Sequence, residues 1–133
     1  MRIITLNANG IRSAARKGFF DWLPAQDADV VCLQETKCQR DQITEPEFHP
    51  AGYHCYYFDA VKKGYSGVAV YSRQKPLTVV AGHGSKEFDG EGRYLEMTAR
   101  QKAVSVTEAL AKLLPAFAQI MPDFPVDRSC QQR

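Results

Sequence analysis

The chain has 133 residues, of which 44% are apolar and 24% charged, and its formal net charge is +2. These values are typical of one globular domain and exclude a largely disordered chain. The small net charge gives no general preference for a nucleic acid or a membrane surface. No apolar run approaches the roughly 18 residues of a membrane span, and the start of the chain lacks the apolar segment of a signal peptide. We therefore expect a cytoplasmic location and no membrane partner.

The four cysteines form no pattern that predicts a metal site or a disulfide framework. Cys32, Cys38, Cys55 and Cys130 include no Cys-x-x-Cys pair and no Cys/His cluster at zinc spacing. In the cytoplasm such cysteines are usually reduced thiols. We expect no disulfide partner.

The first 35 residues predict a strand, a helix and a second strand. Residues 2–6, RIITL, are mostly apolar and β-branched and end in the turn sequence NANG. Apolar residues then recur at helical spacing from about Ser13 to Leu23, before Pro24. Asp29 precedes VVCLQ, an apolar run typical of a strand buried on both faces. A βαβ unit pairs its strands in parallel, so their carboxyl ends lie at the same edge of the sheet.

The rest of the chain predicts a loop, a strand meander and a helix. Residues 36–52 are polar, contain two prolines and show no clear period, which is typical of a loop. Four short strand patterns follow, HCYYF, SGVAVYS, LTVVAG and YLEMTA, and we expect them to form an antiparallel meander. Apolar spacing predicts an amphipathic helix from Val104 to Phe117, interrupted by Pro115.

A candidate metal site lies where the two strands of the βαβ unit end. Asn7 and Glu35 stand at these ends, on the sheet edge where active sites of open α/β sheets tend to lie. Mg²⁺ prefers oxygen ligands and keeps several waters, so one carboxylate and a substrate phosphate can complete its coordination. The alternative is structural: Asn7 caps a turn and Glu35 is a solvated residue at a strand end.

Four segments carry a family resemblance. TLNANGIR, LQETK, GYSGVAVYSR and DGEGRYLE occur in this order, and together they resemble the exonuclease III family of apurinic/apyrimidinic (AP) endonucleases, within the endonuclease/exonuclease/phosphatase superfamily. The resemblance covers about residues 1–97 as a partial domain and leaves 98–133 as a divergent tail with a helix. It implies an α/β fold: the N-terminal half of a DNase I-like two-sheet α/β sandwich, truncated, with a C-terminal helix.

The resemblance also implies roles for individual residues. Glu35 and Asn7 match catalytic residues of the family, at the position that binds Mg²⁺ or Mn²⁺. Asn9 stands where some relatives have an aspartate, so it is at best a secondary ligand. The implied DNA-binding residues are Arg12, Arg16, Lys17, Gly64 and Tyr65. The alternatives are a solvated helix face for Arg16 and Lys17 and a half-buried strand residue for Tyr65, while Arg93 is expected to be structural.

The implied activity is that of an exodeoxyribonuclease III-like DNA-repair nuclease, which hydrolyses phosphodiesters at abasic sites and 3′ ends of duplex DNA. The second half of the family supplies further active-site groups, including an Asp-x-Asn motif and a histidine. Here the only asparagines are Asn7 and Asn9, and no histidine follows His83. The alternative is therefore a truncated or frameshifted, inactive fragment with residual metal or DNA binding. A half-sandwich should expose apolar strand surface unless the tail or a second copy covers it.

Overall fold

A four-stranded sheet forms the first layer of the computed structural model, which describes residues 1–99 and 102–105. Its strands are β1 (Ile3–Asn7), β2 (Val30–Gln34), β3 (His54–Phe58) and β4 (Val68–Ser72), in the spatial order β1-β2-β4-β3. β1 and β2 pair in parallel, and the other two pairings are antiparallel. The predicted parallel pair is therefore confirmed.

The connection between β1 and β2 is two short helices rather than the single helix predicted over residues 13–23. They are α1 (Ile11–Arg16) and α2 (Phe19–Trp22), and a 3₁₀ turn follows at Leu23–Gln26. Gly18 divides them because it adopts a left-handed conformation with φ +85°, which glycine tolerates best. Ile11 and Phe19 are fully buried against the sheet.

A second sheet begins within the segment predicted as one meander. HCYYF and SGVAVYS form the β3–β4 hairpin of the first sheet, whereas LTVVAG and YLEMTA supply strands of the second. The second sheet is antiparallel and consists of β5 (Thr78–Ala81), β6 (Leu95–Ala99) and β7 (Lys102–Ser105). A one-turn helix, α3 (Lys86–Asp89), connects β5 to β6.

The helix predicted from Val104 to Phe117 is wrong in its first two residues. Val104 and Ser105 lie in β7, where Val104 pairs with Met97 of β6. The free edge of β6 offers backbone donors and acceptors, and this tertiary pairing overrides the helical spacing of apolar residues. The remainder, 106–117, lies outside the described residues. β6 runs across the boundary predicted after residue 97, and the boundary itself stays a prediction.

The core has two parts, one on each face of the first sheet. α1 and α2 cover one face, where their buried side chains form one cluster with Ile4, Leu33 and Tyr71 of the sheet. On the other face, side chains of β2 and β4 pack against Leu95 and Met97 of β6, each of which is 1% exposed. Burial of such a side chain contributes roughly 1.5–3 kcal/mol.

Apolar surface is exposed mainly at β5 and the residue before it. Leu95 and Met97 of β6 pack against the first sheet, whereas Leu77, Val79 and Val80 are 37–67% exposed. In the first sheet, Ile3 of β1 is also 37% exposed. Self-association through such a surface stays a prediction.

Two other expectations concern the membrane and the thiols. Within residues 1–99 and 102–105, no helix has the length and apolar content needed to cross a membrane. Cys32, Cys38 and Cys55 are free thiols, and burial raises the pKa of Cys32 and of Cys55 to about 12. Cys130 lies outside the described residues, and the cytoplasmic location stays a prediction.

Candidate functional site

The ends of β1 and β2 bring Asn7 and Glu35 into contact. Asn7 pairs with Gln34 in the parallel register, so Glu35 follows at the same edge of the sheet. The Asn7 side chain donates a hydrogen bond from Nδ2 to Oε1 of Glu35 at 2.9 Å. Its Oδ1 accepts the backbone N–H of Asn9 at 3.0 Å, which fixes the orientation of the amide. Asn7 thereby positions the carboxylate.

Backbone hydrogen bonds join three loops around this pair. We call residues 7–11, 35–37 and 64–67 the three-loop corner. The carbonyl of Glu35 accepts the N–H of Gly10 at 2.7 Å, which ties the loop after β2 to the loop after β1. The N–H of Thr36 donates to Gly67 at 3.1 Å, and that of Lys37 donates to Ser66 at 2.8 Å. Each of the three sequence motifs therefore holds the next one in place.

The corner concentrates unusual backbone conformations. Four residues other than glycine have positive φ there: Asn9 (42°), Glu35 (51°), Lys37 (49°) and Ser66 (46°). Such conformations cost roughly 1–3 kcal/mol each and cluster at functional sites. Gly67 also has φ +84°, and a Cβ on it would lie 2.4 Å from Oγ1 of the buried Thr36. The close approach of these loops requires glycine at position 67.

The Glu35 carboxylate is held in its charged form. The hydrogen bond from Asn7 lowers its pKa most, the hydrogen bond from Lys37 adds to this, and the more distant charge of Arg93 acts in the same direction. Lys37 Nζ lies 3.0 Å from Oε2 of Glu35 and donates to Oδ1 of Asn9 at 2.6 Å. Glu35 is therefore ionised at neutral pH and already binds a cationic group.

The donor set at the corner fits a hard divalent ion that keeps most of its waters. Glu35 supplies an ionised carboxylate there, which pairs with the ammonium of Lys37. The part of the chain that the structure describes contains no cluster of three or more His, Cys, Asp or Glu residues that could hold a metal. One carboxylate suits Mg²⁺, which binds through one or two carboxylates plus substrate oxygens. Zinc would require more nitrogen or sulfur ligands.

Of the residues predicted to bind DNA, Gly64 and Tyr65 lie in the corner and Arg12 directly follows it, whereas Arg16 and Lys17 lie at the other end of α1. Arg12, Arg16 and Lys17 are exposed on α1 and at its end. Gly64 is exposed, with φ +69° and open space beside it. Tyr65 is half-buried, but it lies in the loop three residues before β4, so the alternative that it begins a strand is wrong. Its role in DNA binding stays a prediction.

Sequence reasoning missed Lys37 and the partners of Tyr65. Arg93 donates from Nη2 to the Tyr65 hydroxyl at 2.7 Å and from Nε to Oε2 of Glu91 at 2.5 Å. Lys62 Nζ lies 5.3 Å from the centre of the Tyr65 ring, so two cations flank this ring. The signal was present, because Lys37 belongs to LQETK and Arg93 to DGEGRYLE, but only the fold brings them to the corner.

Comparison with known proteins identifies the family. A model of the endonuclease/exonuclease/phosphatase family matches residues 4–132. The chain belongs to this family. It is 48% identical to an exodeoxyribonuclease of Bacillus subtilis over 98 residues, which are 73% of the chain and 38% of that relative. It is 35% identical over 97 residues to a DNA-(apurinic or apyrimidinic site) endonuclease of Dictyostelium discoideum, covering 73% of the chain and 27% of the relative.

Solved structures confirm the predicted DNase I-like α/β fold. An AP endonuclease from Archaeoglobus fulgidus matches with a TM-score of 0.68 and 33% identity, over 79% of the chain and 40% of that structure. A 3′ phosphatase from Neisseria, bound to a product DNA hairpin, matches with a TM-score of 0.66 and 29% identity over the same shares. The chain thus spans about two fifths, or less, of the length of these relatives.

Proposed function

We propose that the chain supplies the first part of the active site of a divalent-metal-dependent DNA-repair nuclease of the exodeoxyribonuclease III type. Its substrate is duplex DNA with abasic sites or 3′ ends. One observation carries the proposal: Asn7 holds an ionised Glu35 at 2.9 Å, at the sheet edge where three family motifs meet. The names of the relatives support the substrate class.

Glu35 would hold the Mg²⁺ or Mn²⁺ ion, and Asn7 would keep the carboxylate oriented toward it. When bound, such an ion stabilises charge on the phosphate and lowers the pKa of a water molecule. The chain's own contribution is to fix one ligand in a rigid backbone frame, because both flanking residues of Glu35 hydrogen-bond to neighbouring loops. Pre-organisation of this kind avoids reorganisation during the reaction.

The cationic side chains of α1 and of the residue after it would bind the DNA backbone. Arg12, Arg16 and Lys17 are exposed, and such residues neutralise phosphates with a strong dependence on salt. Gly64 leaves room for the close approach of a backbone, and Tyr65 offers a ring for packing on a sugar or base. The Neisseria structure with a DNA product supports this partner.

A nicking assay with a chimera tests the proposal. Residues 1–97 of this chain would replace the matching part of the Bacillus subtilis exodeoxyribonuclease, and a labelled duplex with one abasic site would be the substrate. We expect cleavage in Mg²⁺ and none in EDTA. Glu35→Gln should lower the rate by orders of magnitude, because it removes a member of an active-site unit, whereas the exposed Glu47→Gln should not.

The second arm of the nicking experiment assays the 133-residue chain alone. It contains no Asp-x-Asn motif and no histidine after His83, so we expect no useful rate of cleavage from it. A chimera that folds and remains equally active with Glu35→Gln would contradict the proposal. Robust, EDTA-sensitive nicking by the chain alone would show that the active site needs no further groups.

A further inference from the structure

Lys37 lies where its ammonium group and a metal ion would compete for the carboxylate of Glu35. We infer that its ammonium group occupies Glu35 in place of the metal and, once a divalent ion binds, moves to a DNA phosphate. This inference rests on the proposed function of Glu35. It adds a coupling between metal binding and DNA binding that no motif of the sequence predicts.

Two contacts hold the ammonium over the carboxylate. Lys37 Nζ lies 3.0 Å from Oε2 of Glu35, while Oε1 of the same carboxylate accepts the Asn7 amide. The second contact is to Oδ1 of Asn9, at 2.6 Å. Each oxygen of Glu35 therefore already has one donor. A divalent ion that binds Oε2 would meet the positive charge of the lysine there, and the flexible lysine can move away more easily than the fixed amide.

The backbone aims Lys37 at this position. Its φ of 49° is a left-handed conformation, and its N–H donates to Ser66 at 2.8 Å. Non-glycine residues adopt such a conformation at a cost that the surrounding structure must offset. The side chain is about one third exposed, so the ammonium can leave Glu35 for a ligand on the solvent side without unfolding the corner.

The identity of residue 9 decides where the displaced ammonium can go. Asn9 is neutral, and Glu35 is the only carboxylate that Lys37 contacts among the described residues. Once a divalent ion neutralises Glu35, Lys37 has no anionic partner left in the corner, and like charges a few ångströms apart repel. The nearest anion that the proposed substrate brings is a phosphate, which lysine binds as a mobile point charge.

Thermodynamic reciprocity makes the exchange measurable. If bound metal frees Lys37 for DNA, then metal raises the affinity for DNA, and DNA raises the affinity for metal by the same factor. Without Lys37, the metal should bind more tightly on its own, because no ammonium competes for Glu35. The gain in DNA affinity caused by metal should shrink at the same time.

The test titrates the 133-residue chain with Mn²⁺ by calorimetry. Lys37→Met should tighten Mn²⁺ binding roughly two- to five-fold, the effect of removing one partly exposed ion pair. Lys75→Met, which removes an exposed charge elsewhere, should leave it unchanged. Arg93→Met removes a charge that influences Glu35 without a hydrogen bond or ion pair to it, and should have a smaller effect. In wild type, Mn²⁺ should raise the affinity for a short duplex at least twice as much as in Lys37→Met.

Each other outcome overturns the inference. Unchanged or weaker Mn²⁺ binding in Lys37→Met would show that the ammonium does not compete with the ion. An equally large effect of Arg93→Met on Mn²⁺ affinity would show that Lys37 acts only as one of several nearby positive charges and not by occupying Glu35. If Glu35→Gln binds Mn²⁺ as tightly as wild type, the proposed function of Glu35 fails as well, so the two failures are distinguishable.

Discussion

Replacement of Gly67 by alanine should destabilise the protein far more than the same change at Gly52. Both glycines have nearly the same positive φ, +84° and +83°. A Cβ at Gly67 would lie 2.4 Å from Oγ1 of Thr36, whereas a Cβ at Gly52 meets nothing within 4 Å. Thr36 is only 1% exposed, so its side chain has little space into which it can move.

The magnitude follows from two separate costs. A left-handed alanine costs roughly 1–2 kcal/mol, and this cost is partly offset because alanine also restricts the unfolded chain. Gly52→Ala should therefore lower the free energy of unfolding by about 1 kcal/mol. Gly67→Ala adds overpacking against a buried side chain, which costs about 1–3 kcal/mol. We expect a total of about 3 kcal/mol at position 67.

Urea unfolding of the two variants and wild type measures the difference directly. The Gly67→Ala variant should also bind Mn²⁺ less tightly, because the carbonyl of Gly67 accepts the N–H of Thr36, the neighbour of Glu35. Equal losses of stability in the two variants would refute the reasoning, since they would show that backbone strain alone matters and that the loops do not approach closely.

Two further predictions concern a buried hydroxyl pair and the acid side of the stability profile. The hydroxyls of Tyr57 and Tyr71 hydrogen-bond each other, and Tyr57 also donates to the carbonyl of Phe48. Urea unfolding should show that Tyr71→Phe lowers the free energy of unfolding by about 1 kcal/mol. Tyr57→Phe should lower it by about 2–3 kcal/mol, because this change leaves both the Tyr71 hydroxyl and the Phe48 carbonyl without their hydrogen-bond partner. The reverse order would contradict this prediction. The pKa of Glu35 is lowered from 4.5, so its stabilising contribution is present above pH 4.5 and is lost as the pH falls through the folded value. Glu35→Gln should cost stability at pH 7, and the difference from wild type should shrink below pH 4.5; a difference that grows there would contradict the sign.

The strands were predictable because their signals are local. Apolar and β-branched runs mark β1, β2, β3 and β4 within one or two residues of their observed ends. The meeting of Asn7 and Glu35 also followed from sequence, because parallel strands place their carboxyl ends at one edge. The break of the first helix at Gly18 was not predicted, because the helical spacing of apolar residues continues on both sides of this glycine.

Long-range pairing accounts for most of what the sequence did not predict. Nothing local distinguishes the strands of the first sheet from those of the second, because that choice depends on packing between Val70 and the side chains of β6. The strand at Val104 likewise depends on the free edge of β6. Lys37 received no role and Arg93 only a structural one for a related reason: the contacts of Lys37 with Asn9 and of Arg93 with Tyr65 join different loops, so no spacing rule connects them.

The central claim is that Glu35 is the metal-binding carboxylate of the three-loop corner. Paramagnetic broadening of backbone amide signals by Mn²⁺ tests it most directly, because the effect is strongest for amides close to the ion. We expect selective loss of the signals of residues 7–9 and 35–37 in wild type, and recovery of those signals in Glu35→Gln. Broadening centred on the acidic segment 87–91, or unchanged broadening in Glu35→Gln, would contradict the claim.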